Sequence, residues 1–89
     1  MMEKTATVQL LPQEQTGEYQ FSGQIVMTSN FSNIFDGHIF TVVLGAMELI
    51  RDRIESEGAD YFQVLTYMDK KFWVIDDVKV VTFLMPEDY

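Results

Sequence analysis

The side chains able to do acid–base or ligand chemistry are few and dispersed. His38 is the single histidine and cysteine is absent. No Ser-His-Asp or Cys-His constellation therefore has a spare member, and disulfides and thiolate zinc sites are excluded. His38 falls in the first turn of an expected helix, where free backbone N–H groups would help it hold an anion; standing alone, it reads as a surface residue. Asp76-Asp77, with Asp69 or Glu87-Asp88, offers oxygen ligands to a hard cation. Adjacent residues of a strand point to opposite faces, however, so the two aspartates cannot easily share one ion. Glu48 with Asp52, and Asp52 with Glu55, lie at helical spacing. General acid–base catalysis needs a cleft that drives two pKa values apart, and these carboxylates fall on a solvated helix face. There is no glycine-rich phosphate loop, dinucleotide fingerprint or His-Glu-x-x-His motif. The expectation is a protein that is not an enzyme, with no catalytic residue, no cofactor and no metal.

The elements that would position these side chains follow from apolar periodicity. Thr5 to Leu11 alternates, with Ala6, Val8 and Leu10 on one side, as a half-buried strand does. Pro12 ends it, and residues to Gly17 form a polar connection. Glu18 to Thr28 is a second strand with Gly23 as a bend or bulge. Ser29 to Ile34 is polar and turn-prone. From Gly37 to Glu57 the period is helical, with Ile39, Val43, Ala46, Met47, Ile50 and Ile54 in one stripe. Asp36 is the expected N-cap, Phe35 and Phe40 the expected staple, and Gly58 the residue that ends the helix in left-handed geometry. Gly45 would allow close packing on the sheet, and Arg51 and Arg53 would pair with Glu48, Glu55 and Glu57. Tyr61 to Met68 and Phe72 to Ile75 flank an expected turn at Asp69-Lys70. Asp76-Asp77 is a bulge or a turn into a further strand, Val78 to Leu84, and Pro86 closes the structured region. The fold class is α+β: an antiparallel sheet of four to five strands with one long helix on one face, in the order β-β-α-β-β(-β).

With 89 residues the chain has room for a single domain, residues 1–89. Its 47% hydrophobic content is too high for disorder. The N-terminal residues lack the apolar core of a secretion signal, and no apolar run is long enough to span a bilayer. The chain is expected in the cytoplasm, with no membrane partner. A formal net charge of −8 repels phosphate backbones, so direct nucleic-acid binding is not expected and a basic partner is favoured.

The two last hairpin strands carry the most informative pattern. A turn at Asp69-Lys70 sets Thr66 opposite Trp73 and Val64 opposite Ile75 on one face. It sets Tyr67 opposite Phe72, Leu65 opposite Val74 and Tyr61 opposite Val78 on the other. Opposed residues share a face, so both faces of the sheet are apolar, while a single helix covers one. The second face must curl in on itself, pair with another copy, or meet a different protein. Tyr61, Leu65, Tyr67, Phe72 and Val74 are expected on the open face as the interaction surface, with Trp73 as the alternative anchor should the helix cover the other side.

The run Gly23-Gln24-Ile25-Val26-Met27-Thr28, the apolar helix, Ala59-Asp60-Tyr61-Phe62-Gln63-Val64-Leu65 and the closing Met85-Pro86-Glu87-Asp88-Tyr89 together resemble an uncharacterised family of small proteins from Gram-positive bacteria and their mobile elements. The likeness covers residues 23–89, with Phe62 where the family pattern has leucine. It implies a bacterial or phage accessory protein and carries no functional residues with it. The functional expectation is a non-catalytic protein–protein interaction module that forms a homodimer or docks on a partner through its sheet. The alternative is an acidic inhibitor that mimics nucleic acid, with Glu48, Asp52, Glu55 and Glu57 as its charge track.

Overall fold

A computed structural model of the chain describes residues 7–89. Two strands, two helices and three strands follow one another along it: β1 (Gln9–Leu10), β2 (Gln24–Met27), α1 (Ser29–Ile34), α2 (Ile39–Ser56), β3 (Phe62–Tyr67), β4 (Lys70–Asp76) and β5 (Val80–Leu84), with a 3-10 turn at Pro86–Asp88. This is the expected α+β class, with a mostly antiparallel sheet and one long helix. The strand order is β1-β3-β4-β5-β2. All pairs are antiparallel except β2 with β5, which run parallel in the register Gln24↔Val80 to Met27↔Phe83. Of the first strand expected at Thr5–Leu11, Thr5 and Ala6 lie outside the described residues.

The polar stretch Ser29–Ile34 is a helix, not the expected turn. The Thr28 hydroxyl accepts the Phe31 N–H at 3.1 Å and caps its first turn. What holds this short helix in place is Phe31, fully buried. Its ring packs against Phe35, Phe72 and Phe83 at centroid distances of 4.9, 5.5 and 5.5 Å. Burial of a phenylalanine of this kind contributes about 1.5–3 kcal/mol. Phe35 turns inward to the same cluster, beside Phe72 and Tyr67. It therefore makes no staple with Phe40, which stays 78% exposed.

The long helix starts two residues later than expected, at Ile39. His38, not Asp36, occupies its N-cap position and makes no side-chain cap. Val42, Ala46 and Ile50 are its fully buried positions. Gly45 faces the first strand, where an added Cβ would sit 2.9 Å from Val8 Cγ2. The C-terminus matches expectation: Gly58 has φ +89°, and its N–H closes on the Arg53 carbonyl at 2.9 Å. Among the described residues, no helix is long and apolar enough to cross a membrane.

The hairpin between β3 and β4 turns at Met68-Asp69, both with positive φ (52° and 65°), the signature of a two-residue mirror-image turn. Leu65 therefore faces Phe72 and Val64 faces Trp73, a register displaced by two residues from that expected. A slip of two leaves every side chain on its original face, because the strand period is two. The two apolar sets survive within the paired strands, and Tyr61, just ahead of β3, is the one member that leaves its set. Which of them the helices cover is the reverse of what was expected.

Candidate interaction surface

Leu65, Phe72 and Val74 are fully buried and Tyr67 is 4% exposed, all beneath the helices. They are core, and the expected interaction surface is thereby corrected. The cause is α1, whose Phe31 and neighbouring Phe35 fill the space over Phe72 and Phe83. Tyr61 alone of that set lies at the surface, 40% exposed at the start of β3. Trp73 is on the uncovered face.

That uncovered face is built by alternation. Phe62 and Val64 on β3, Trp73 and Ile75 on β4 and Thr82 on β5 point away from the helices, and all are half-buried. Five ring pairs run along it: Tyr19–Tyr61 at 5.9 Å, Tyr61–Phe62 at 6.0 Å, Phe62–Trp73 at 4.8 Å, Phe62–Tyr89 at 6.4 Å and Trp73–Tyr89 at 5.4 Å. The Tyr19 segment is tied to the sheet's end by its own N–H, which donates to the Ala59 carbonyl at 3.1 Å.

Tyr89 reaches the row because the 3-10 turn folds the chain back. The Asp88 carboxylate accepts from the Thr28 hydroxyl at 2.7 Å and from the Met85 N–H at 3.0 Å. The Thr28 hydroxyl chiefly, then the Met85 N–H, hold the Asp88 carboxyl below its usual range; weak desolvation opposes them and Asn30 adds to them. Proline at the first position of the turn presets its backbone.

Between these tyrosines runs an open groove of about 480 Å³. Ile75, Thr82 and Leu84 line it from the sheet, and Tyr19, Tyr61 and Tyr89 from its borders, with Asp77 and Val78 at the β4–β5 turn. A second hollow of about 460 Å³ shares Tyr19, Asp76 and Val78. Val78 is 72% exposed yet has φ +66°, a costly geometry for a β-branched residue. Phe21 also has positive φ, 53°. One carboxylate holds both, since Asp76 accepts from the Phe21 N–H at 2.9 Å and from the Val78 N–H at 2.8 Å.

At the same end of the sheet, Gln63 is fully buried but fully partnered. Its carbonyl accepts from Arg53 Nη1 at 2.7 Å, and its amide donates to Gln13 Oε1 and the Asp60 carbonyl, both at 2.8 Å. Arg53 also pairs with Glu57 at 3.1 Å. That pair was expected; among the described residues Arg51 forms no ion pair with Glu48 or Glu55.

The other sequence candidates do not converge. No group of three or more His, Asp or Glu among the described residues could hold a metal ion. Nδ1 of the exposed His38 lies 3.4 Å from the Tyr67 hydroxyl. Glu48, Asp52 and Glu55 are exposed on α2, with exposed Arg51 among them. A second apolar pair, Phe40 and Leu44 at 78% and 54% exposed, sits one helical turn apart on α2. Sequence reasoning missed Tyr19 and Tyr89 as members of the surface. A signal was there: Glu18-Tyr19, Asp60-Tyr61 and Asp88-Tyr89 are acid–tyrosine pairs, and all three tyrosines border one groove.

Compared with family models, with curated proteins and with solved structures, the chain matches none.

Proposed function

We propose that this chain is a non-catalytic protein–protein interaction module, a bacterial or phage accessory protein, that self-associates or docks on a partner through the sheet face its helices leave uncovered. The observation that carries this reading is the half-buried set Phe62, Val64, Trp73 and Ile75 on that face. Among the described residues, no helix lies over it. Contiguous apolar surface of this kind, with a tryptophan at its centre, is what protein interfaces use as anchors.

The test is a charge placed in the middle of the face. Val64→Glu points away from the core and should leave the fold intact. Light scattering at low and high salt gives the mass of the parent protein. If it is a salt-resistant dimer, Val64→Glu should be monomeric with an unchanged melting temperature. If the parent is monomeric, a partner captured by it from its native host should be lost with Val64→Glu. Association or capture that is indifferent to this change would end the reading.

A further inference from the structure

We propose that the tyrosine-bordered groove is the seat for a basic side chain, arginine or lysine, carried by an extended segment of a partner protein. This rests on the interaction-module reading and assigns one part of that surface its ligand chemistry.

The groove combines two features that select a cation. The first is its border. Tyr19, Tyr61 and Tyr89 come from three distant parts of the chain and meet around about 480 Å³ of open space. Their exposures of 38%, 40% and 77% leave ring surface available. Aromatic faces attract ammonium and guanidinium groups through the ring quadrupole, and more so when the contact sheds water. The apolar floor of Ile75 and Leu84 suits the aliphatic stem of the same side chains.

The second feature is charge. Glu18, beside Tyr19, lines the adjoining hollow, while Asp60 and Asp88 are neighbours of Tyr61 and Tyr89 in sequence, Asp88 with its carboxylate turned to Thr28 and Met85. Asp77 lines the groove itself and is exposed. No lysine or arginine is among the described residues that line it. The chain's formal net charge of −8 adds a long-range attraction for a basic segment. The neighbouring carboxylate, Asp76, is buried and holds the backbone of Phe21 and Val78. It fixes the groove's wall and leaves Asp77 to meet the ligand.

The test uses the whole chain with its tyrosines replaced by 3-fluorotyrosine, read by fluorine NMR. Tyr67, buried in the core at 4% exposure, is the internal control. The probes are a short capped peptide of alternating serine and arginine, and a twin with neutral citrulline in place of arginine. The arginine peptide should shift the Tyr19, Tyr61 and Tyr89 resonances saturably and leave Tyr67 unmoved. The citrulline twin should bind at least about fivefold more weakly, as should the arginine peptide to Asp77→Asn. Raising salt from about 50 to about 500 mM should weaken arginine binding and not citrulline binding. No saturable shift, equal binding of the twins, or indifference to Asp77→Asn would each overturn the proposal. Val64→Glu separates the two readings. If it abolishes association while the peptide twins bind alike, the cation seat is wrong and the module stands. If arginine-selective shifts occur while Val64→Glu changes no association, the seat stands and the wider sheet face is not the interface.

Discussion

The Asp76 carboxylate accepts the backbone N–H of Phe21 at 2.9 Å, joining the end of β4 to the chain entering β2 across 55 positions of sequence. Its other oxygen accepts the Val78 N–H at 2.8 Å. β2 adds to the sheet in parallel beside β5, where no tight turn can set its register. The Asp76 contacts fix both the approach to β2 and the turn into β5, so one side chain links the ends at which the two strands pair.

Asp76→Asn should therefore destabilise the fold strongly for so small a change. Asparagine offers one acceptor and turns an N–H₂ group toward a backbone donor. The loss of a charge-assisted bond at a site only 6% exposed is worth about 1.5–3 kcal/mol. Urea unfolding measures this directly, and a loss below about 0.5 kcal/mol would show that the carboxylate does not organise this corner.

Val78→Gly should act in the opposite direction. A left-handed conformation costs an L-residue roughly 1–2 kcal/mol, which glycine avoids, less the extra entropy glycine loses on folding. Because Val78 is 72% exposed, little burial is sacrificed. The net gain should be near 0.5–1 kcal/mol, seen as a rise of several degrees in melting temperature.

The reversed sheet faces give a sharper contrast. Phe72→Ser empties a fully buried site in the aromatic cluster and should cost at least about 3 kcal/mol. Adding Tyr67→Ser should leave the chain unfolded, since a domain of this size holds only about 5–10 kcal/mol in all. Circular dichroism of the double variant decides it. A folded double variant would return these residues to the surface.

This contrast also locates where the sequence stops being readable. Alternation assigned Leu65, Tyr67, Phe72 and Val74 to one face and Val64, Trp73 and Ile75 to the other, and the two-residue register slip left those sets unchanged. The choice between the sets depended on α1. Its sequence, Ser-Asn-Phe-Ser-Asn-Ile, offers one aromatic among residues that favour turns, and only tertiary packing of Phe31 makes it a helix over the sheet. Parallel pairing of β2 with β5 had no local signal, because both helices, β3 and β4 lie between them and leave no turn to read. The groove was hidden for the same reason: Tyr19, Tyr61 and Tyr89 are neighbours only through the topology.

Asp88 ties stability to pH. Its folded-state carboxyl is held below the ordinary value of 3.8, chiefly by the Thr28 hydroxyl and then by the Met85 N–H. A carboxyl lowered on folding stabilises above its unfolded value, and that contribution disappears as pH falls through the folded one. Attachment of the turn that carries Tyr89 should thus be complete at neutral pH and weaken below about pH 4. Carbon-detected NMR titration of Asp88 measures the shift. Thr28→Val should return it toward the ordinary value and cost about 1 kcal/mol more through the lost α1 cap. An unchanged Asp88 titration in Thr28→Val would exclude the hydroxyl as the cause.

Trp73, the chain's one tryptophan, gives an optical reading of the uncovered face. Its ring is half-buried, with Phe62 at 4.8 Å and Tyr89 at 5.4 Å as its aromatic neighbours. Tyr89 is itself 77% exposed, so it shields Trp73 while burying little of its own surface. Tyr89→Ala should accordingly increase acrylamide quenching of the tryptophan and change stability by no more than about 1 kcal/mol. Occupation of the face by a second copy or a partner should do the reverse, lowering quenching and moving the emission to shorter wavelength, because docking removes water from the indole edge. The control is on the opposite side of the molecule: a substitution at exposed Leu44 on α2 should leave Trp73 fluorescence as it is. If Tyr89→Ala leaves quenching unchanged, the turn does not hold Tyr89 over Trp73 in solution, and the groove has lost one of its borders.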